Sequence, residues 1–267
     1  MKKLTLITMV ALVLSVFTAV SALAGVVLDR IIQKGELVVG TSGNQLPFSM
    51  TTKDGKIIGL DADLATIMAS SMGVKVKFNV MPFSELLTAL EEGKVDMVLS
   101  SMTILPKRNL KVAFVGPYFV SGKSIITPVE KAESLNTVAD LNSPEVTLVA
   151  LKGSTSQIFV EKVAPKAKLV TTEDYDKALD MVMQDKADAM VADYPYCAVS
   201  SYRYPEKKLA TADKPFTYEP LGIALPANDQ LLVNWVENFL MTLNGSNGLK
   251  AVTERWFKSP AWMSELP

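Results

Sequence analysis

Glu91-Glu92-Gly93-Lys94-Val95-Asp96-Met97-Val98-Leu99-Ser100 is answered, further along the chain, by Met183-Gln184-Asp185-Lys186-Ala187-Asp188-Ala189-Met190-Val191-Ala192. Each copy follows a segment with apolar residues at helical spacing, Phe83 to Leu90 in the first and Tyr175 to Met183 in the second. Each then passes through a polar turn into a short apolar strand. The flanking segments also correspond. Before the first copy lie an apolar strand from Glu36 to Thr41, a helix pattern from Asp61 to Met72 and a strand from Lys75 to Val80; before the second lie Val146 to Ala150, Ser156 to Val163 and Lys168 to Thr171. Short strands alternating with helices of this length predict parallel pairing through right-handed crossovers. Two similar α/β lobes are therefore expected, each a mostly parallel sheet flanked by helices.

Composition narrows what such lobes can do. The 267 residues are 49% hydrophobic, with 27 basic and 28 acidic side chains, one cysteine and no histidine. The apolar fraction excludes disorder, and the lone Cys197 excludes a disulfide scaffold. Without histidine there is no Ser-His-Asp or Cys-His nucleophile and no zinc site that needs imidazole; no metal and no cofactor is expected. A formal charge of −1 argues against a nucleic-acid partner, because phosphate-tracking proteins carry clustered excess cations.

The amino terminus reads as an address. Lys2 and Lys3 precede an uncharged apolar run from Leu4 to Ala19, and Ala22-Leu23-Ala24 supplies a small-x-small cleavage pattern. Residues 1–24 are thus a predicted signal peptide, the run being shorter than the roughly 20 residues a membrane span needs. Position 26 is Val, so the cysteine of a lipoprotein is missing; loss of Lys2 and Lys3 takes the formal charge from −1 to −3. The mature chain is expected free in an exported compartment.

In open α/β sheets, ligands bind in the crevice at the carboxyl ends of the strands. The loops there read Ser42-Gly43-Asn44-Gln45, Ser100-Ser101-Met102-Thr103, Leu151-Lys152-Gly153-Ser154-Thr155-Ser156 and Asp193-Tyr194, with Arg108 just beyond the second. Gly153 to Ser156 also opens a helix, whose free N–H groups favour an anion. Arg108 can pair a carboxylate through its planar fork, and Asp193 can accept hydrogen bonds from an ammonium group. A free α-amino acid carries both groups.

Several stretches have a family resemblance. Leu28-Asp29-Arg30-Ile31 leads into Gly35-Glu36-Leu37-Val38-Val39-Gly40-Thr41, followed by Pro47-Phe48 and Gly59-Leu60-Asp61-Ala62-Asp63-Leu64, then Ser100-Ser101-Met102-Thr103 through Pro106-Lys107-Arg108 to Pro117-Tyr118. Together they resemble the polar amino-acid-binding proteins of ABC importers, family 3 of the extracellular solute-binding proteins, over residues 28 to 258. The resemblance implies a type II periplasmic-binding-protein fold closing over its ligand. Lobe 1 would comprise residues 25–122 and 221–267 and lobe 2 residues 123–220, with hinge strands near Ser121 to Thr127 and Glu219 to Leu225. Ser101, Thr103 and Arg108 would hold the α-carboxylate, aided by the backbone at Thr155 and Ser156. Asp193 would hold the α-ammonium and Phe83 would pack on the side chain, in a pocket lined by Ser42, Asn44, Gln45, Tyr118 and Tyr194. Relatives that bind cationic amino acids often carry an acid in place of Ser42, so a polar uncharged side chain is preferred. The implied partners are an amino acid and a membrane permease, with the binding protein a monomer.

The same family contains an enzyme, cyclohexadienyl dehydratase, which Leu28 to Ile31 and Arg203-Tyr204-Pro205-Glu206 resemble. Its catalytic acid falls three residues after the aspartate ending the lobe-2 strand, and here that position is Tyr196. A phenol with pKa near 10 is a poor general acid, so binding is preferred to dehydration. Other features have structural readings. Gly116 to Ser124 departs from phosphate-loop spacing, Asp61 and Asp63 are read as helix caps, and Cys197 as a packed thiol. Trp235, Trp256 and Trp262 are read as core.

Overall fold

The computed structural model describes residues 25–135 and 137–267; the predicted signal peptide lies outside them. Two five-stranded sheets form the frame. The first runs Lys75–Val80, Glu36–Thr41, Met97–Val98, Glu219–Pro226, Val112–Ser121, and the second Lys168–Thr172, Thr147–Leu151, Ala189–Asp193, Lys123–Pro128, Leu209–Thr211. Both share one pattern, three parallel strands followed by two antiparallel ones. Asn44–Gln45, Ser49–Thr51 and Ile57–Ile58 form a small separate antiparallel sheet.

The echoed sequences build the same device twice. Helix Leu86–Glu91 ends with Lys94 N donating to Ala89 O and Gly93 N to Leu90 O; helix Tyr175–Met183 ends with Lys186 N donating to Met181 O and Asp185 N to Val182 O. These are paired Schellman closures, with left-handed Gly93 (φ 70°) and Asp185 (φ 55°) at matching places. One residue type pays no steric cost there and the other tolerates it through its short polar side chain. The aspartates that follow tie down a neighbouring strand. Asp96 Oδ2 accepts Val38 N at 2.8 Å and Asp188 Oδ2 accepts Thr147 N at 2.8 Å. Each carboxylate also has a cation, Arg30 on Asp96 and Lys131 on Asp188. Met97, Val98 and Leu99, like Met190, Val191 and Ala192, are then buried in the sheets.

The backbone crosses between the sheets at Gly122 and again between Leu209–Thr211 and Glu219–Pro226. Gly122 is required by space: a Cβ there would lie 2.1 Å from Thr217 O. Gly116 to Ser124, phosphate-loop-like in sequence, is strand Val112–Ser121 followed by this crossing. The carboxy-terminal helices Gln230–Gly245 and Gly248–Phe257 pack beside the first sheet and its helix Leu60–Ser71. Trp256 and Trp262 are buried there, and half-buried Trp235 stacks on Phe239.

The reading of Asp61 and Asp63 as caps is corrected. Helix Leu60–Ser71 starts at Gly59 without a side-chain cap. Asp61 turns inward to accept Ser101 N at 2.8 Å and Tyr118 Oη at 2.7 Å, while Asp63 accepts Trp256 Nε1 at 2.8 Å. Both carboxylates found fixed donors in other segments, which neighbouring sequence does not reveal.

Candidate functional site

The predicted strand-end loops meet between the two sheets. Gln45 Nε2 donates to Asp193 Oδ2 at 2.6 Å, Thr103 Oγ1 lies 3.3 Å from Thr155 Oγ1, and Arg108 Nη2 donates to Gly153 O at 3.1 Å. Gly153 has φ 72°, and a Cβ on it would sit 3.2 Å from Ser84, in the short helix Phe83–Glu85 on the opposite side. Its lack of a side chain lets the two sides approach.

Each predicted residue has a definite place. Arg108, half-buried, spans the contact: Nη1 donates to Thr103 O at 3.0 Å, and its guanidinium stands 5.7 Å over the Phe83 ring. Burial lowers its pKa to about 10, opposed by the charges of Glu219 and Asp193, so it remains a cation at neutral pH. Ser101 is buried with φ 48°, a conformation costly for a serine, and its hydroxyl has no hydrogen-bond partner among the described residues. Asp61 secures that backbone through Ser101 N. Burial pushes the Asp61 carboxyl up to about 6, against the lowering effect of its bonds to Tyr118 and Ser101.

The second half supplies a different surface. Ser154 caps helix Thr155–Val163, accepting Ser156 N at 3.1 Å and Gln157 N at 3.3 Å. The expected backbone donor at Ser156 is thereby committed to the cap, and its buried, unpartnered hydroxyl is what it offers instead. Ser42 turns to Ser100, its N donating to Ser100 Oγ at 3.0 Å and its hydroxyl accepting from that oxygen at 3.1 Å. Tyr118 does not line the site as expected, because its hydroxyl is bound to buried Asp61. Tyr194, also expected there, points its phenol at Asp213 O, 3.4 Å away.

Two further residues belong to the cleft and escaped sequence reading. Lys123, on the first crossing, is buried and donates to Asp193 Oδ1 at 2.6 Å; Glu219, on the second, has Oε2 3.9 Å from the same ammonium. The signal was visible as one cation and one acid at the starts of the two predicted hinge strands. A cavity of 600 Å³ is lined by Ser42, Asn44, Asp174, Asp176 and Arg203, so it borders the site. Another of 690 Å³, lined by aromatic residues including Trp256 and Trp262, contains Tyr194 but no other predicted binding residue.

Residues 37–259 match the bacterial extracellular solute-binding proteins, family 3. The chain belongs to that family. Among relatives of this solute-binding protein, cyclohexadienyl dehydratase of Pseudomonas aeruginosa is 27% identical over 231 residues, 86% of each chain. The crystal structure of an ancestral amino acid-binding protein, a precursor of cyclohexadienyl dehydratase, is 37% identical with TM-score 0.81, covering 86% of this chain and 99% of that one. A putative binding component of an ABC transporter from Wolinella succinogenes, complexed with lysine, is 35% identical with TM-score 0.82, covering 86% of this chain and 99% of that one. The type II periplasmic-binding-protein fold expected from sequence is thus the fold of this family member.

The dehydratase position has a distinct environment. Tyr196 is fully buried, packs on Tyr175 at 4.5 Å between ring centroids, and donates its hydroxyl to Tyr175 O at 3.2 Å. Burial raises its pKa well above that of a free phenol. Neighbouring Cys197 is buried, and burial pushes its thiol up as well. Neither residue presents a reactive group to the cleft. Among the described residues no group of three or more Asp, Glu, Cys or His side chains is arranged to hold a metal.

Proposed function

We propose that this solute-binding protein captures a free α-amino acid by closing two lobes, residues 25–122 with 221–267 and residues 123–220, and presents the closed form to the permease of an ABC importer. The observation that carries the reading is the pairing of chemistry across the contact. Arg108, Ser101 and Thr103 follow strand Met97–Val98 of the first sheet and Asp193 ends a strand of the second; Gln45 reaches Asp193, and Thr103 and Arg108 reach Thr155 and Gly153, across the contact, where Ser156 contributes a free hydroxyl. Arg108 and the hydroxyls suit the α-carboxylate and Asp193 the α-ammonium, with Phe83, Ser42 and Gln45 around the side chain. Closure is driven by the ligand's greater affinity for the form in which both sets of groups reach it. The protein acts as a monomer in the periplasm after removal of residues 1–24.

Dehydration of prephenate or arogenate is the alternative raised by the Pseudomonas relative. A phenol turned into the core and made less acidic by burial is unsuited to donate a proton to a leaving group, which favours binding over catalysis. A thermal-shift screen of the purified protein against the common amino acids tests the reading. Ligand at ~100 times Kd adds about 2.7 kcal/mol, several degrees for a chain of this size. A flat profile rejects amino-acid capture, and turnover of prephenate or arogenate rejects the absence of catalysis.

A further inference from the structure

The carboxylate assigned to the ligand's ammonium already holds two protein donors. Asp193 Oδ1 accepts Lys123 Nζ and Asp193 Oδ2 accepts Gln45 Nε2, both at 2.6 Å. The ion pair lies out of water, its side chains only 2% and 3% exposed. An arriving ammonium therefore meets a buried carboxylate already neutralised by another ammonium, and two such cations on one carboxylate repel strongly in this environment. The same lysine has a second acid within reach. Glu219 Oε2 stands 3.9 Å from Lys123 Nζ, is buried, and has no hydrogen-bond donor among the described residues, while Oε1 takes Thr217 Oγ1 at 3.2 Å. A shift of about 1 Å would bring the ammonium into hydrogen-bond range of Glu219.

We propose that Lys123 alternates between two carboxylates, Asp193 and Glu219, and yields Asp193 to the primary ammonium of the bound amino acid. The exchange leaves Lys123 and Asp193 each with a partner of opposite charge in both arrangements. With Lys123 on Asp193, Glu219 stays 3.9 Å from the same ammonium; with Lys123 on Glu219, the ligand's ammonium completes Asp193. Position suits the role, since Lys123 and Glu219 begin the two strands at the crossings between the sheets, where the proposed closure would bend the chain. Lys123 is thus a positioning residue that sets selectivity for an ammonium. It makes affinity the difference between two ammonium–carboxylate pairings, so a ligand lacking the group gains nothing from Asp193. This inference rests on the reading of the cleft as an amino-acid site.

Two measurements decide it. The first needs no ligand: thermal unfolding of Asp193→Asn, Glu219→Gln and the double variant. Each single substitution leaves Lys123 one carboxylate, so the double variant is expected to lose more than the sum of the single losses; additive losses overturn the proposal. The second is calorimetric titration with L-arginine, L-glutamine and L-lysine, each beside its 2-hydroxy acid. Lys123→Met is expected to increase the preference for amino acid over hydroxy acid about tenfold, and Glu219→Gln to decrease it by a similar factor, within the usual range of coupling between sites. Changes that affect both members of a pair equally overturn the proposal. If none of the six compounds binds the unsubstituted protein, these three amino acids are rejected as ligands, and the unfolding cycle alone decides on Lys123.

Discussion

The two halves of the molecule share a strand order, a Schellman closure and an aspartate strap, yet they finish their strands differently. In the first half, strand Met97–Val98 opens into Ser100 to Thr103, where Ser101 is held in a left-handed conformation by a buried carboxyl from another segment. In the second, strand Ala189–Asp193 runs directly into helix Tyr194–Arg203, with Asp193 at the junction. Equivalent frames therefore present opposite chemistry: hydroxyls and a cation from one side, a carboxylate from the other. The repeated part sets the geometry, and the unrepeated loops set what is bound.

The largest effects should fall on those loops. Arg108→Ala and Asp193→Ala each remove one partner of a charge pair and are expected to cost roughly 2 to 5 kcal/mol in amino-acid affinity by calorimetric titration. Affinity unchanged in either variant would break the assignment of carboxylate to one half and ammonium to the other.

Next comes the device confined to the first half. A carboxyl whose folded pKa is raised to about 6 from 3.8 binds its proton more tightly in the folded state than in the unfolded one. Its contribution to stability is therefore greatest below pH 4 and is lost as pH rises through 6, on the order of 3 kcal/mol in all. Asp61→Asn should flatten this part of the stability curve measured by denaturant unfolding between pH 4 and 7. An unchanged slope would assign the loop's support to other groups.

The two aspartate straps should then differ in strength although they match in geometry. Asp96 is 5% exposed as a side chain and Asp188 27%. Asp96→Ala would leave Val38 N without its acceptor in a drier place, for about 2 kcal/mol, and Asp188→Ala about 1 kcal/mol because water can replace the bond at Thr147. Equal losses in chemical denaturation would mean that burial does not distinguish them. The smallest effect is expected at the closures. Gly93→Ala should cost about 1 kcal/mol through backbone conformation alone, since the nearest atom to the added carbon is 3.8 Å away. Gly93→Asp should cost less, because it copies Asp185; a larger loss would show that the turns are not interchangeable.

Much of this was legible in the residue pattern. The echo from Glu91 to Ser100 and from Met183 to Ala192 located two turns and two strands, because hydrophobic period and turn chemistry are local properties. The strand ends directed attention to Ser101, Thr103, Arg108, Thr155 and Asp193, which the fold brings into one contact region. Less legible was the direction of polar side chains whose partners are distant in sequence. Asp61 looks like a cap until Ser101 and Tyr118 are beside it, and Lys123 looks like an ordinary strand residue until Asp193 and Glu219 surround it. Tyr118 belongs to the core for the same reason.

By itself the sequence determined a two-sheet α/β chain of a solute-binding family, with no histidine chemistry and a near-neutral charge. Only the tertiary structure decided which charges neutralise one another: Arg108 bridges to Gly153, Asp193 takes Lys123 and Gln45, and Glu219 keeps an oxygen unpartnered. The physical reason is range. Strand and helix patterns are set by neighbours a few residues apart, whereas the pairing of a buried charge depends on the groups that folding places within about 4 Å of it, and these come from anywhere in the chain.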